Sequence, residues 1–137
     1  MNNVTVVYAT RTKHSKKLAE AVAHALNTKA ENIVDQPKIK DTGLLFIVGG
    51  IYGGESLPEL VSFVKDLDGH KVKAAALITS CASGKQKQKS IRSILAEKDI
   101  PVLGEVIVPG AILIARMGHP NRNDLEKAVE FAKGLIK

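Results

Sequence analysis

The stretch "LLFIVGG" (44–50) decides the fold class, because it contains no polar residue. A strand with one solvated face alternates apolar and polar residues, whereas a strand buried on both faces reads as a continuous apolar run. The β-branched run "VTVVYA" (4–9) has a similar character. Both runs predict buried strands of a parallel sheet.

Three further segments predict strands. "KVKAAALITSC" (71–81) and "PVLGEVIVPG" (101–110) are apolar and rich in β-branched residues. "NIVD" (32–35) predicts a short strand at an edge of the sheet, directly before Gln36 and Pro37.

Amphipathic segments alternate with these runs. "KKLAEAVAHALN" (16–27) places its apolar residues on one helical face, and "KQKQKSIRSILAEK" (85–98) predicts a weaker helix. "SLPELVSFVKDL" (56–67) opens with Ser56 and Glu59 at the spacing of a capping box.

The last segment, "NRNDLEKAVEFAKGLIK" (121–137), predicts a final helix, in which Asn123 and Glu126 resemble a second cap pair. The resulting order is β-α-β-β-α-β-α-β-α. It predicts an α/β fold: three layers, with an open, doubly wound sheet of five parallel strands and helices on both faces.

Length and composition are those of one ordinary globular domain. The chain has 137 residues, 45% hydrophobic and 25% charged, so we expect a single domain over residues 1–137. No apolar run is long enough to cross a bilayer, and the first residues do not resemble a signal peptide. The single cysteine excludes an internal disulfide and a cysteine-based zinc site. These features predict a cytoplasmic protein without a membrane partner.

The charge is basic and concentrated. The formal net charge is +6, and the segments 11–17 and 85–92 each hold four basic residues and no acidic one. A basic balance favours an acidic partner. Nucleic acid is disfavoured because aromatic residues make up only 4% of the chain, which leaves few stacking platforms. A charge run of this kind is also compatible with a solvated helix face.

In an open parallel sheet the ligand lies beyond the carboxyl ends of the strands, so three loops are candidate binding segments. The first loop offers the hydroxyls of Thr10, Thr12 and Ser15 together with the free amides of a helix start, a combination that suits a phosphate. The alternative is that Ser15 is a helix cap and the threonines are turn residues.

The second loop, "GGIYGGES" (49–56), surrounds Tyr52 with four glycines. Glycines permit close backbone approach, and an aromatic ring between them can face a flat ligand. The alternative is a tight turn in which Tyr52 covers the sheet edge. The third loop, "TSCASGK" (79–85), is small and polar, and Cys81 is interpreted as a buried thiol at a strand end.

With these loops in place, the chain resembles the flavodoxin-like proteins. The resemblance is carried by "VVYATRTKHSKKLAEAVA", "VGGIYGGESLPELVSFVKDL", "ALITSCASG" and "GHPNRNDLEKAVEFAKGL", which occur in the family's order over nearly the whole chain. It implies the strand order 2-1-3-4-5 and FMN as the cofactor. Lys13 stands where the family's phosphate loop has a glycine, and Asn121 is expected to help start the last helix.

The resemblance also implies which residues contact FMN. The phosphate loop comprises Thr10, Arg11, Thr12, Lys13, His14 and Ser15; the loop against the flavin ring comprises Gly50, Ile51, Tyr52, Gly53 and Gly54; the loop at the pyrimidine edge comprises Thr79, Ser80, Cys81, Ala82, Ser83 and Gly84.

The function implied is that of an FMN-binding electron-transfer protein with a redox partner protein, for which the basic charge favours an acidic surface. Two alternatives stay open. One is an FMN-dependent quinone or NAD(P)H oxidoreductase of the same fold, and the other is a cofactor-free binding module that has kept the fold. The oligomeric state is left undetermined by the sequence.

Overall fold

A computed structural model describes residues 3–10, 13–52, 54–81, 86–109 and 122–136. Among these residues, no helix has both the length and the apolar character needed to cross a bilayer. The strands are β1 (Val4–Tyr8), β2 (Ala30–Asn32), β3 (Leu44–Tyr52), β4 (Glu55–Ser56), β5 (Ala75–Cys81) and β6 (Val102–Pro109), and the helices are α1 (His14–Ala25), α2 (Pro58–Lys65), α3 (Lys89–Glu97) and α4 (Arg122–Leu135).

The sheet is parallel along the path β2-β1-β3-β5-β6. The sixth strand, β4, pairs only with the end of β3 and runs antiparallel to it. When this two-residue strand is set aside, the five parallel strands follow the predicted order 2-1-3-4-5. The predicted α/β fold with a flavodoxin-like strand order is therefore confirmed.

Two apolar clusters cover the two faces of the sheet. Phe46 and Val48 of β3 belong to the cluster beneath α1 and α4, while Leu45 and Ile47 belong to the cluster beneath α2 and α3. Successive strand residues point to opposite faces, and here both faces are covered by helices. This double cover is why β3 tolerates no polar residue between Leu44 and Val48.

The edge strand lies earlier than predicted. Ile33–Asp35, predicted as a strand, forms a 3₁₀ turn, and the strand that pairs with β1 is Ala30–Asn32. The Asn32 side chain accepts a hydrogen bond from the Val34 amide at 3.1 Å. Asparagine side chains compete for backbone amides in this way and favour turns over extended strands.

The predicted capping box of α2 is wrong. Ser56 lies in β4, where it pairs with Ile51, and the residue that precedes the helix is Leu57, which makes no side-chain cap bond. Pro58 opens the helix. Proline is favoured there because the amide that it lacks would have no helical partner.

Other helix starts are also shifted. α1 begins at His14 rather than Lys16, and α3 begins at Lys89, so residues 85–88 precede it. Asn123 lies inside α4 and is not its cap. The predicted role of Asn121 falls outside the described residues.

The packing of α2 against the sheet can be tested at Leu60. Its side chain is fully buried, and its Cδ2 lies 2.6 Å from the position that a Cβ atom on Gly49 would occupy. We expect Leu60→Ala to lower the free energy of unfolding by about 2–5 kcal/mol, because it removes buried methyl groups and leaves a cavity. Urea denaturation measures this loss.

Val34→Ala is the matched control, since Val34 is 65% exposed. We expect a change within about 0.5 kcal/mol for this variant. A Leu60→Ala loss of the same small size would contradict the packing of α2 described above.

Candidate functional site

The carboxyl ends of three neighbouring strands meet at one edge of the sheet. β1, β3 and β5 are adjacent and parallel, and they end at Tyr8, Tyr52 and Cys81. Neighbouring strands lie about 4.8 Å apart, so the segments that follow them converge. The predicted site residues within the described part are Thr10, Lys13, His14, Ser15, Gly50, Ile51, Tyr52, Gly54, Thr79, Ser80 and Cys81, whereas Arg11, Thr12, Gly53, Ala82, Ser83 and Gly84 fall outside it.

Ser15 is the polar residue that distinguishes this edge. It is the second residue of α1, its side chain is fully buried, and its Oγ has no hydrogen-bond partner. The interpretation of Ser15 as a helix cap is therefore wrong, because Lys13 occupies the cap position. A buried hydroxyl without a partner costs about 1–3 kcal/mol, so this oxygen at a helix start is a candidate contact for a ligand atom.

Backbone amides accompany this hydroxyl. The first hydrogen bond of α1 runs from the Lys17 amide to the Lys13 carbonyl at 3.1 Å. The amides of Ser15 and Lys16 consequently have no acceptor within the helix. A buried hydroxyl beside the amides of a helix start forms a donor set for an anion.

Lys13 adopts the backbone conformation that a glycine would favour. Its φ is 70° and its ψ is 0°, which is left-handed, and its side chain is exposed. Its amide donates to Thr10 Oγ1 at 2.8 Å, which fixes the turn between β1 and α1. The departure from glycine therefore costs conformational energy.

The second predicted loop is a tight hairpin. Ile51 pairs with Ser56 and Tyr52 pairs with Glu55, so β3 and β4 form an antiparallel hairpin. Gly54 has a φ of +83°, a value that glycine adopts without strain. Ile51 is buried, so its side chain faces the core.

Tyr52 lies over Gly50. A Cβ atom on Gly50 would come within 2.9 Å of both Cε2 and Oη of Tyr52, so this contact requires glycine. The ring is half-buried and packs against the cluster beneath α2 and α3. This arrangement matches the alternative in which Tyr52 covers the sheet edge.

The described residues of the third predicted loop, 79–81, are buried. The hydroxyl of Thr79 donates to Glu105 Oε2 and accepts from Gln88 Nε2 at 3.0 Å, and Thr79 is fully buried. Cys81 is also buried, as predicted, and its thiol donates to Gln86 Oε1 at 3.5 Å. Neither side chain faces the edge of the sheet.

Glu105 is a residue that sequence reasoning missed. Its side chain is 1% exposed. Its carboxylate accepts hydrogen bonds from Arg92 Nε at 2.7 Å and from the backbone N–H of Gln88 at 2.9 Å. Gln88 is itself fully buried, and its Oε1 has no partner. The one signal in the sequence is a lone carboxylate within the apolar strand "VLGEVIV". Glu105 anchors the start of α3 to the sheet.

A wide groove of about 800 Å³ lies elsewhere, between α2 and the segment 33–39. None of the predicted site residues lines it. Among the described residues, no group of three histidine, cysteine, aspartate or glutamate side chains is arranged to hold a metal ion. Ser15, whose hydroxyl is unpartnered, does not line this groove, so the carboxyl edge of the sheet is the candidate site.

Comparison with known proteins confirms the fold. No protein-family model matches the chain. An uncharacterised protein of Methanocaldococcus jannaschii is 29% identical over 139 aligned positions, which cover 91% of both chains. A short-chain flavodoxin associated with a bacterial microcompartment superposes with a TM-score of 0.72 at 20% identity, and the match covers 98% of this chain and 97% of that one.

A lysine-to-glycine mutant of a Fusobacterium nucleatum flavodoxin, bound to flavin mononucleotide, superposes with a TM-score of 0.70 at 16% identity. That match covers 98% of this chain and 96% of the other. The protein described here has the flavodoxin-like fold.

The backbone conformation of Lys13 predicts that Lys13→Gly stabilises the protein. Glycine adopts a φ near 70° freely, whereas a residue with a Cβ is strained there. We expect the free energy of unfolding to rise by about 1 kcal/mol, as measured by urea denaturation without added ligand.

Lys17→Gly is the control, because Lys17 is an exposed lysine inside α1. Glycine should cost about 1 kcal/mol at that position. Equal losses in both variants would refute the left-handed conformation of Lys13.

Proposed function

We propose that this protein binds FMN and carries electrons. The observation that carries the proposal is the buried, unpartnered hydroxyl of Ser15 at the start of α1, on the carboxyl edge of a flavodoxin-like sheet. A phosphate oxygen in that place would accept the hydrogen bond that the folded chain leaves unmade. The flavodoxin bound to flavin mononucleotide that superposes on this chain supports the choice of cofactor.

The phosphate would be held by residues at the start of α1. Ser15 Oγ and the amides of Ser15 and Lys16 supply hydrogen-bond donors. The Thr10 hydroxyl accepts from the Lys13 amide and keeps its own proton for a phosphate oxygen. Lys16 and Lys17 are exposed in the first turn, where their charges favour a dianion.

The flavin ring would lie at the end of β3. Gly50 and Gly54 add no side chains at that edge, and Tyr52, whose ring lies over Gly50, would present its exposed face to the flavin. FMN, when bound, supplies the redox chemistry, while the protein holds it, orients it and limits its contact with water.

An electron carrier is favoured over an oxidoreductase by Glu105. This carboxylate is buried and engaged by Arg92, Thr79 and Gln88, so it offers no free general base to a substrate. Steady-state oxidation of NADH or NADPH by a quinone with the FMN-loaded protein would overturn this choice.

Titration with FMN and with riboflavin tests the proposal. Riboflavin has the same ring and lacks the phosphate. We expect quenching of FMN fluorescence at micromolar protein, retention of FMN through a desalting column, and riboflavin affinity at least about 10-fold weaker, which corresponds to about 1.4 kcal/mol. Loss of all flavin, without quenching, would instead favour a cofactor-free binding module.

Ser15→Ala separates folding from ligand binding. Removal of a buried hydroxyl without a partner should raise the free energy of unfolding of the apoprotein by about 1 kcal/mol. The same change should weaken FMN roughly 10-fold and leave riboflavin affinity unchanged, because only the phosphate uses this hydroxyl.

Ser56→Ala is the matched control. Ser56 Oγ is also buried and unpartnered, but it lies in β4, away from α1. We expect the same gain in stability and an unaltered ratio of FMN to riboflavin affinity. If Ser15→Ala also left that ratio unaltered, Ser15 would not be a phosphate ligand.

A further inference from the structure

We propose that five exposed lysines form a docking surface for the acidic face of a redox partner protein. This surface, the lysine rim, consists of Lys13, Lys16, Lys17, Lys87 and Lys89. The inference rests on the proposed function, since it assigns a partner to the same edge of the sheet.

The lysine rim borders the candidate site on two sides. Lys13, Lys16 and Lys17 follow β1, whereas Lys87 and Lys89 follow β5. These two strands flank β3, so the two groups of lysines start from strand ends about 10 Å apart, with Gly50 between them. The two groups are carried by α1 and α3, which cover opposite faces of the sheet, so a protein broad enough to cover this edge would meet both groups.

The rim charges are not neutralised within the protein. Among the described residues, none of the five lysines pairs with a carboxylate, and the first turns of α1 and α3 contain no acidic residue. Arg92 differs, because Glu105 neutralises it, and it is left out of the rim. Within the basic segment 85–92, Arg92 is therefore paired with a carboxylate, whereas Lys87 and Lys89 pair with none of the described carboxylates.

Three of these lysines, Lys16, Lys17 and Lys89, lie in the first turns of α1 and α3 and work against the stability of those helices. Cations at a helix N-terminus oppose the macrodipole and cost about 0.3–1 kcal/mol each at exposed positions. A single phosphate held by α1 accounts for the lysines of that helix. It does not account for Lys87 and Lys89, which lie on the far side of β3.

The surroundings of the rim favour a protein over other polyanions. The exposed large apolar side chains among the described residues are Val34, which follows β2, and Leu103, which lies in β6. These are the two outer strands, so the two side chains form no continuous apolar patch for a membrane. Aromatic residues make up only 4% of the chain, which leaves few stacking platforms for nucleic-acid bases. The rim therefore offers charge as its means of recognition, and complementary charge steers the association of two proteins.

Two forms of cytochrome c provide matched probes, because succinylation makes the basic protein acidic and leaves the haem in place. The FMN-loaded protein is reduced with dithionite, freed of excess reductant and mixed with ferric cytochrome in a stopped-flow instrument. Each ferric haem takes one electron from the reduced flavin. We expect the rate with the succinylated form to fall as salt is added, and the rate with native cytochrome c to rise.

Charge reversal locates the surface. With FMN kept saturating at low salt, the variant Lys16→Glu/Lys17→Glu/Lys87→Glu/Lys89→Glu should slow reduction of the succinylated form by at least about 10-fold and speed reduction of native cytochrome c, a gain that loss of FMN would not produce. The control reverses four exposed lysines at the opposite edge and changes the net charge equally; we expect a loss of less than about threefold. Its positions are Lys29, Lys40, Lys73 and Lys133.

Equal losses in the two variants would overturn the docking surface, since net charge alone would then explain the rates. A second measurement needs no flavin: ¹⁵N-labelled apoprotein is titrated with succinylated cytochrome c, and amide shifts are expected to cluster at 13–17 and 87–92. Clustered shifts without FMN binding would overturn the proposed function and leave the docking surface standing. Tighter binding of a single-stranded DNA oligomer than of succinylated cytochrome c at about 0.15 M salt would overturn the protein partner.

Discussion

The structure depends on the complete enclosure of β3. Its backbone pairs with β1 on one edge and with β5 on the other, and helices cover both of its faces. A strand so enclosed can contact a ligand only beyond one of its ends, and in open parallel sheets ligands bind beyond the carboxyl end. The glycines at that end are required by their neighbours, because Leu60 lies against Gly49 and Tyr52 lies against Gly50. Enclosure and the location of the site therefore have the same cause.

Much of the fold could be predicted because it follows from burial. The apolar runs 4–9 and 44–50 predict strands that are covered on both faces. The alternation of strands with amphipathic helices predicts a doubly wound parallel sheet. The wrongly predicted segments depend on single side chains or on strand pairings, which the pattern of apolar and polar residues does not reveal. The amide cap of Asn32 turns the predicted strand 32–35 into a 3₁₀ turn, and pairing with β4 draws Ile51 and Tyr52 into β3.

The candidate site was less predictable than the fold. Hydroxyls and glycines near strand ends could be read from the sequence, but whether each faces the edge or the core could not. Ser15 is buried without a partner, whereas Thr79 is engaged by Glu105 and Gln88. Glu105 is distant in sequence from Thr79 and Gln88, and the apolar pattern of its strand gave no sign that it would contact them. The strained backbone of Lys13 and the unpartnered Ser15 hydroxyl both lower stability, a combination typical of functional positions.

The tight hairpin between β3 and β4 has a kinetic consequence. Because Tyr52 and Glu55 are paired, the backbone that carries the ring is held by the sheet. Uncovering Gly50 then requires a rotation of one side chain rather than the opening of a loop. Rotamer changes of surface side chains take picoseconds to nanoseconds, whereas larger collective openings take microseconds or longer. Exposure of Gly50 is therefore expected to depend on a side-chain rotation and not on movement of the sheet.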